Sequence, residues 1–143
     1  MDKPTKENTL YLPIKQVYFD EIIAGTKKAE YREVKDGVTA NRYLLKEKGA
    51  YVLNPASCAD MAATYYIDDY NGGRFPFMPK PYRYLSLAVG YSKERDTALV
   101  EVVGFSFEPD MIRYDREGNP FSCFWTIVFH LGRVVEVHRK PRK

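Results

Sequence analysis

Residues 9–34 read TLYLPIKQVYFDEIIAGTKKAEYREV, and this stretch predicts a strand, a helix and a second strand in close succession. The first strand covers Thr9–Ile14, where apolar residues dominate. Gln16–Ala24 predicts a helix, because apolar side chains recur at the i, i+4 spacing that brings them onto one face. Gly25 ends this helix as a C-cap glycine. Residues 28–34 then predict a strand after a tight turn.

The rest of the chain predicts mostly strands. Helical turns are expected over 41–48, and 54–83 is a long irregular segment. Further strands are predicted at 82–91, 97–107, 125–131 and 134–138, the last two as a hairpin around Gly132. Together these elements predict the α+β class, with a small bent β-barrel of five or six strands and one or two packed helices.

The 143 residues have the length of one domain, and their composition, 45% hydrophobic and 29% charged, argues against disorder. We place a single domain at 9–138, with polar tails at 1–8 and 139–143. Four of the 22 basic residues lie in the last five positions, so residues 1–138 carry 18 basic residues against 19 acidic ones. The net charge of +3 therefore describes a basic tail on a near-neutral body, which argues against a protein that coats nucleic acid by charge alone.

No apolar run approaches the roughly 18 residues that span a membrane, and residues 1–8 lack the apolar core of a signal peptide. We therefore expect a cytoplasmic protein without a membrane partner. Cys58 and Cys123 stand far apart, without a CxxC pair or a nearby His, so neither structural zinc nor a disulfide is expected. No cofactor is predicted, and the sequence identifies no protein partner.

The densest polar chemistry lies in residues 25–32, GTKKAEYR. Lys28, Glu30 and Arg32 share one face of the predicted strand, and Lys27 lies in the turn before it. Convergence of Lys27, Glu30 and Arg32 beside the first helix would suit a phosphate or carboxylate, with the acid orienting the two cations or accepting from base amino groups. Without knowledge of any family, a solvated strand with cross-strand charge pairs is the favoured interpretation.

Gly25, Lys27, Glu30 and Arg32 match the pattern G-x-K-x-x-E-x-R, the signature of the ASCH domain. The chain resembles this family over about residues 9–138, since the strand and helix before the motif and the later strands follow the family's order. The resemblance implies a PUA-like fold, the RNA-binding barrel of pseudouridine synthases and archaeosine transglycosylases, with a cleft beside the first helix. It also implies that RNA or a nucleotide binds there, against Lys27, Glu30 and Arg32.

Some ASCH domains resemble small amidohydrolases that act on N4-acetylcytidine, and one group resembles ribonucleases. In the amidohydrolase group, the position of Glu30 belongs to a Thr with the role of nucleophile. Glu30 is not able to do that chemistry in the same way, and this departure counts against deacetylase activity. If the chain is an enzyme, Lys27 and Glu30 are the catalytic candidates.

Aromatic and basic side chains cluster around the irregular segment 54–83. Bases stack on aromatic rings and basic side chains contact phosphate, so ligand contacts are predicted at Tyr65, Tyr66, Tyr82 and Arg83. The alternative, of equal weight, is that these rings pack the segment onto the barrel.

Three further groups are assigned ordinary roles. Glu101, inside an apolar strand, is interpreted as lying on an exposed face, with a general base in the cleft as the alternative. His130 and His138 are too few to indicate a metal site. The tail 139–143 is either a solvated terminus or a grip on a phosphate backbone.

The sequence therefore predicts an RNA- or nucleotide-binding domain, whose ligand is RNA, a nucleotide or a modified nucleoside. The near-neutral body favours a small or single-stranded ligand over long duplex RNA. Two alternatives remain open. One is a small hydrolase acting on a modified nucleoside or on RNA, and the other is a protein-interaction domain that keeps the barrel without a ligand.

Overall fold

The computed structural model describes residues 3–34, 39–52, 77–114 and 116–141. This part of the chain is mostly β, with two short helices, α1 (Gln16–Ala24) and α2 (Ala40–Tyr43). The strands are β1 (Thr9–Ile14), β2 (Ala29–Val34), β3 (Lys46–Glu47), β4 (Ala50–Tyr51), β5 (Tyr84–Val89), β6 (Thr97–Tyr114) and β7 (Pro120–His138). No helix in the described ranges is long and apolar enough to cross a membrane.

Five of the strands form one sheet, in the order β1-β5-β6-β7-β2, and β3 pairs with β4 apart from it. β1 lies parallel to β5, from Thr9 opposite Tyr84 to Ile14 opposite Val89. β5 pairs antiparallel with β6. These elements confirm the coarser part of the predicted fold, a β-rich chain with one or two helices. The PUA-like barrel stays a prediction.

The chain divides into two compact units. The first consists of Met1–Glu30, Pro81–Gly104 and His130–Lys143, and the second consists of Tyr31–Lys80 and Phe105–Phe129. β2, β6 and β7 contribute residues to both units. The single domain at 9–138 stays a prediction.

The core of the first unit forms where α1 packs against β5. Along β1, Leu10, Leu12 and Ile14 are buried in alternation with exposed residues, as a strand with one covered face requires. α1 buries Phe19 and Ile22. The predicted strand and helix are confirmed with their bounds, because apolar spacing and the helix-ending glycine are local signals.

The second unit has an aromatic cluster at its centre. Phe129 is fully buried. The rings of Tyr43 and Phe105 meet it edge to face, with centroids 6.0 and 5.7 Å away, a geometry that aromatic pairs prefer. Tyr43 thereby ties the short helix α2 to β7.

The predicted helical turns over 41–48 are wrong beyond Tyr43, where α2 ends. β3 and β4 follow as an antiparallel pair. Lys48 and Gly49 connect them with φ angles of 52° and 82°. Two successive positive φ values are typical of the tight turns whose twist suits a β-hairpin. Gly49 therefore serves a hairpin turn and does not end a helix.

The hairpin predicted around Gly132 is also wrong. β7 runs without interruption from Pro120 to His138, so Gly132 lies inside a strand. The chain turns back earlier, between β6 and β7, where Gly118 has a φ of 83°. At Gly132 a Cβ atom would lie 2.7 Å from Cγ1 of Val103 and 3.3 Å from Cβ of Glu101. This glycine is therefore explained by the close approach of β6 to β7.

A buried carboxylate binds residues near the C-terminus to other parts of the first unit. Asp96 is 2% exposed. Its Oδ1 accepts the backbone N–H of Lys140 at 2.8 Å, and its Oδ2 accepts from Gln16 Nε2 and Arg139 Nη1, each at 2.9 Å. Arg139 also pairs with Asp20 on α1 at 2.9 Å. Arg139 and Lys140, expected in a tail that is solvated or grips phosphate, are instead bonded to Asp96.

These hydrogen bonds lower the pKa of Asp96 from 3.8 to about 2, with the backbone N–H of Lys140 as the largest cause and Gln16 as the next. The unfolded chain takes up the proton near 3.8, so between these two values it binds more protons than the folded chain. We expect the free energy of unfolding to fall as the pH drops through this window. Asp96→Asn should lose part of that dependence in urea titrations between about pH 5 and pH 2. Equal slopes in both proteins would contradict the assignment.

Candidate functional site

The turn after α1 places the motif directly at the helix end. Gly25 has a φ of 81°, and its N–H donates to the carbonyl of Ile22 at 3.1 Å. The N–H groups of Thr26 and Lys27 both donate to the carbonyl of Glu21, at 3.0 and 3.2 Å. These bonds satisfy two of the last carbonyls of α1 and reverse the chain. Lys27 therefore emerges beside the helix that precedes it.

A cleft of about 350 Å³ opens at this end of α1. Its side chains come from α1, from the turn and from β7, and they are apolar except for two lysines: Ile22, Ile23, Leu131, Val134, Lys27 and Lys28. The N–H of Leu131 donates to the carbonyl of Lys28 at 2.9 Å, which joins β7 to the residue before β2. The cleft is thus a mixed site, with an apolar lining and positive charge on one wall.

Lys27 is held by two neighbours within the first unit. Its Nζ lies 3.7 Å from Oε1 of Glu30 and 5.2 Å from the centre of the Tyr18 ring. The Lys27 side chain is 19% exposed and that of Glu30 is 5% exposed. A cation near a carboxylate and an aromatic face is favourably placed while it still reaches the cleft.

The three residues of the predicted cluster do not fall in one unit. Lys27 and Glu30 belong to the first unit, and the structure brings them together. Arg32 belongs to the second unit, within which its Nη1 donates to the carbonyl of Tyr31 at 2.8 Å. Participation of Arg32 at the same site stays a prediction.

The other predicted ligand residues do not line the cleft or lie outside the described residues. Tyr82 is half-buried and Arg83 is exposed, just before β5 in the first unit. The main chain of Arg83 bridges two segments, because its N–H donates to the carbonyl of Asn8 and its carbonyl accepts from Val102, both at 2.8 Å. Tyr65 and Tyr66 lie outside the described residues. Ligand contact by these four residues stays a prediction.

Glu101 is buried, which overturns its assignment to an exposed strand face. It is 7% exposed. Its Oε1 accepts the backbone N–H of Arg133 at 3.0 Å, and its Oε2 lies 3.8 Å from Nη2 of the same residue. A carboxylate is tolerated inside this strand because a backbone donor and a cation compensate its burial. Glu101 thereby binds β7 at Arg133, a residue that lies between the cleft residues Leu131 and Val134.

The two histidines lie on one strand, not on two strands of a hairpin, since β7 contains both His130 and His138. In the ranges that the structure describes, no three His, Cys, Asp or Glu side chains gather as metal ligands.

Sequence reasoning missed several members of the cleft. Lys28 was identified only as part of a strand face, although it lines the cleft from the turn. Tyr18 does not line the cleft, but its ring lies 5.2 Å from Nζ of Lys27, and its i, i+4 spacing from Ile22 is the sequence signal for a shared helix face. Leu131 and Val134 carry no sequence signal for this site, because they lie about a hundred residues after the motif.

Comparisons of the chain with models of protein families, with curated proteins and with solved structures find no match. Membership of the ASCH family therefore stays a prediction from the motif.

Proposed function

We propose that the chain binds a nucleotide or the end of a short single-stranded RNA in the cleft beside α1. Lys27 and Lys28 would contact the anionic group, and the apolar lining would cover part of the sugar or base. The main support is that Lys27, which the motif alone identifies, also lines a cleft of suitable size. About 350 Å³ falls within the range of roughly 300–1,000 Å³ for small-molecule sites.

Charge at the cleft supports an anionic ligand. Among the described residues that line it, two are lysines and none is acidic. Glu30 lies behind Lys27 and is buried, so it orients the ammonium group without lining the cleft itself. The near-neutral composition of residues 1–138 supports a ligand with few phosphates, because long duplexes bind through many basic contacts.

Titration with nucleoside 5′-monophosphates and 5′-phosphorylated trinucleotides, followed by calorimetry, tests the proposal. We expect Lys27→Ala and Lys28→Ala each to weaken binding about tenfold, since a charge-assisted contact is lost in each. Each variant should also reduce the dependence of affinity on salt concentration.

Lys93→Ala is the matched control, because it removes the same charge from an exposed position between β5 and β6. It should bind as the unmodified chain does. Lys28 is itself exposed, so its variant separates loss of binding from loss of folding. The proposal fails if none of the ligands binds, or if both cleft variants bind like the control.

The cleft favours ligand binding over the protein-interaction hypothesis, which predicts no concave site beside Lys27. The hydrolase hypothesis stays a prediction. Chromatography of acylated nucleosides and labelled RNA after incubation with the chain would test it, with Glu30→Gln as the diagnostic variant.

A further inference from the structure

An exposed aromatic ring lies beside one of the lysines that line the cleft. Tyr18 on α1 is 43% exposed, whereas Ile22 on the same helix face is 3% exposed. It precedes Ile22 by four residues, and side chains at that spacing are neighbours on one face of a helix. Because Ile22 lines the cleft, the ring of Tyr18 lies one helical turn away from the lining.

The same ring is coupled to the cation of the cleft. Nζ of Lys27 lies 5.2 Å from its centre, within the range of a cation–π contact. The ammonium group also lies 3.7 Å from Oε1 of Glu30. The aromatic surface and the positive charge are therefore neighbours, and the charge belongs to a residue that lines the cleft.

An aromatic face next to a lysine is a combination that suits a nucleotide. Bases stack on aromatic rings irrespective of their sequence, and the phosphate is attracted by the neighbouring cation. Tyrosine offers this surface at low entropic cost because it has only two side-chain torsions.

We propose that Tyr18 is the aromatic residue on which the base of the bound nucleotide stacks, while the phosphate contacts Lys27. This inference rests on the proposed function and adds a selectivity to it. The cleft should prefer a phosphate that carries an aromatic base over one that does not. Tyr18 takes the role that the sequence assigned to tyrosines of the segment 54–83.

The test compares three ligands: a nucleoside 5′-monophosphate, ribose 5-phosphate and inorganic phosphate. We expect the unmodified chain to bind the nucleotide about tenfold more tightly than ribose 5-phosphate, the contribution of one stacked base. Tyr18→Ala should reduce the ratio of the two affinities to about one, and Tyr18→Phe should keep it near ten because the ring remains. The ratio is the deciding quantity, since loss of the Lys27 contact lowers both affinities together.

Tyr91→Ala is the control, because Tyr91 is exposed, lies in the same unit and lines a separate depression with Pro13 and Lys15. It should leave the ratio unchanged, and thermal unfolding of each variant shows whether it is folded. Equal binding of nucleotide and ribose 5-phosphate to the unmodified chain would overturn the role of Tyr18 and leave the proposed function standing. So would a ratio retained in Tyr18→Ala. Failure of all three ligands and of the 5′-phosphorylated trinucleotides to bind would overturn both.

Discussion

Replacement of Asp96 by alanine is expected to lower the free energy of unfolding by about 3 kcal/mol, as measured by urea denaturation. The variant leaves the backbone N–H of Lys140 without its acceptor and removes one of the two carboxylates that accept from Nε2 of Gln16. It also removes the buried carboxylate that faces Arg139. Hydrogen bonds to a charged group contribute about 1.5–3 kcal/mol each, and several are lost at once when the buried Asp96 carboxylate is removed.

The matched control is Asp20→Ala. Asp20 binds the same Nη1 of Arg139 at the same distance of 2.9 Å, but its side chain is 49% exposed. Water replaces an exposed carboxylate readily, so no measurable loss of stability is expected there. If both variants were equally stable, the burial of Asp96 would not be what matters, and its role in fastening Arg139 and Lys140 would be refuted.

Much of the first unit could be predicted from short-range signals. The strand at Thr9–Ile14 and the helix at Gln16–Ala24 agree with their predicted bounds, because burial periodicity and a C-cap glycine act over a few residues. The strand predicted at 28–34 begins at Ala29, one residue later. The proximity of Lys27 to Glu30 follows from the same local geometry.

Long-range contacts account for the errors. A lone acid in a polar connection, such as Asp96, resembles any solvated residue until Lys140 reaches it from 44 positions away. Glu101 suggested an exposed strand face because the sequence does not reveal that Arg133 will supply a donor. Sequence periodicity reports which face of a strand is covered, but it does not report which segment covers it.

The candidate site likewise has one part that local sequence signals predict and one part that depends on long-range contacts. Lys27 and the end of α1 are contiguous in sequence, so the motif was sufficient to locate them, although it did not single out Lys28. Its second wall comes from β7, and the only local mark there was a glycine that resembled a turn. Glycine has two common uses in β-structure, a turn with positive φ and a close approach of two backbones, and composition does not distinguish them.

Gly132→Ala separates these two uses experimentally, and we expect it to lower the free energy of unfolding by about 2 kcal/mol. The added methyl group would lie 2.7 Å from Cγ1 of Val103 and 3.3 Å from Cβ of Glu101. Rotation of Val103 would relieve the first contact. It would not relieve the second, since Cβ of Glu101 is attached directly to the backbone of β6. The strands must therefore separate, and chemical denaturation would report the loss.

Gly104→Ala is the control that keeps the chemistry constant. At that position on β6 the nearest atom to an added methyl group is Cδ2 of His130 at 3.8 Å, an ordinary contact, so little change in stability is expected. Equal stability of the two variants would refute close approach of the strands as the reason for glycine at position 132.

The same substitution should affect nucleotide binding, because Gly132 and its neighbour Leu131 line the cleft. Displacement of β7 should weaken binding in Gly132→Ala, whereas Gly104→Ala should bind as the unmodified chain does. Stability and affinity should then both fall in Gly132→Ala, and neither should fall in Gly104→Ala. That result would show that the packing of β6 against β7 determines the shape of the candidate site.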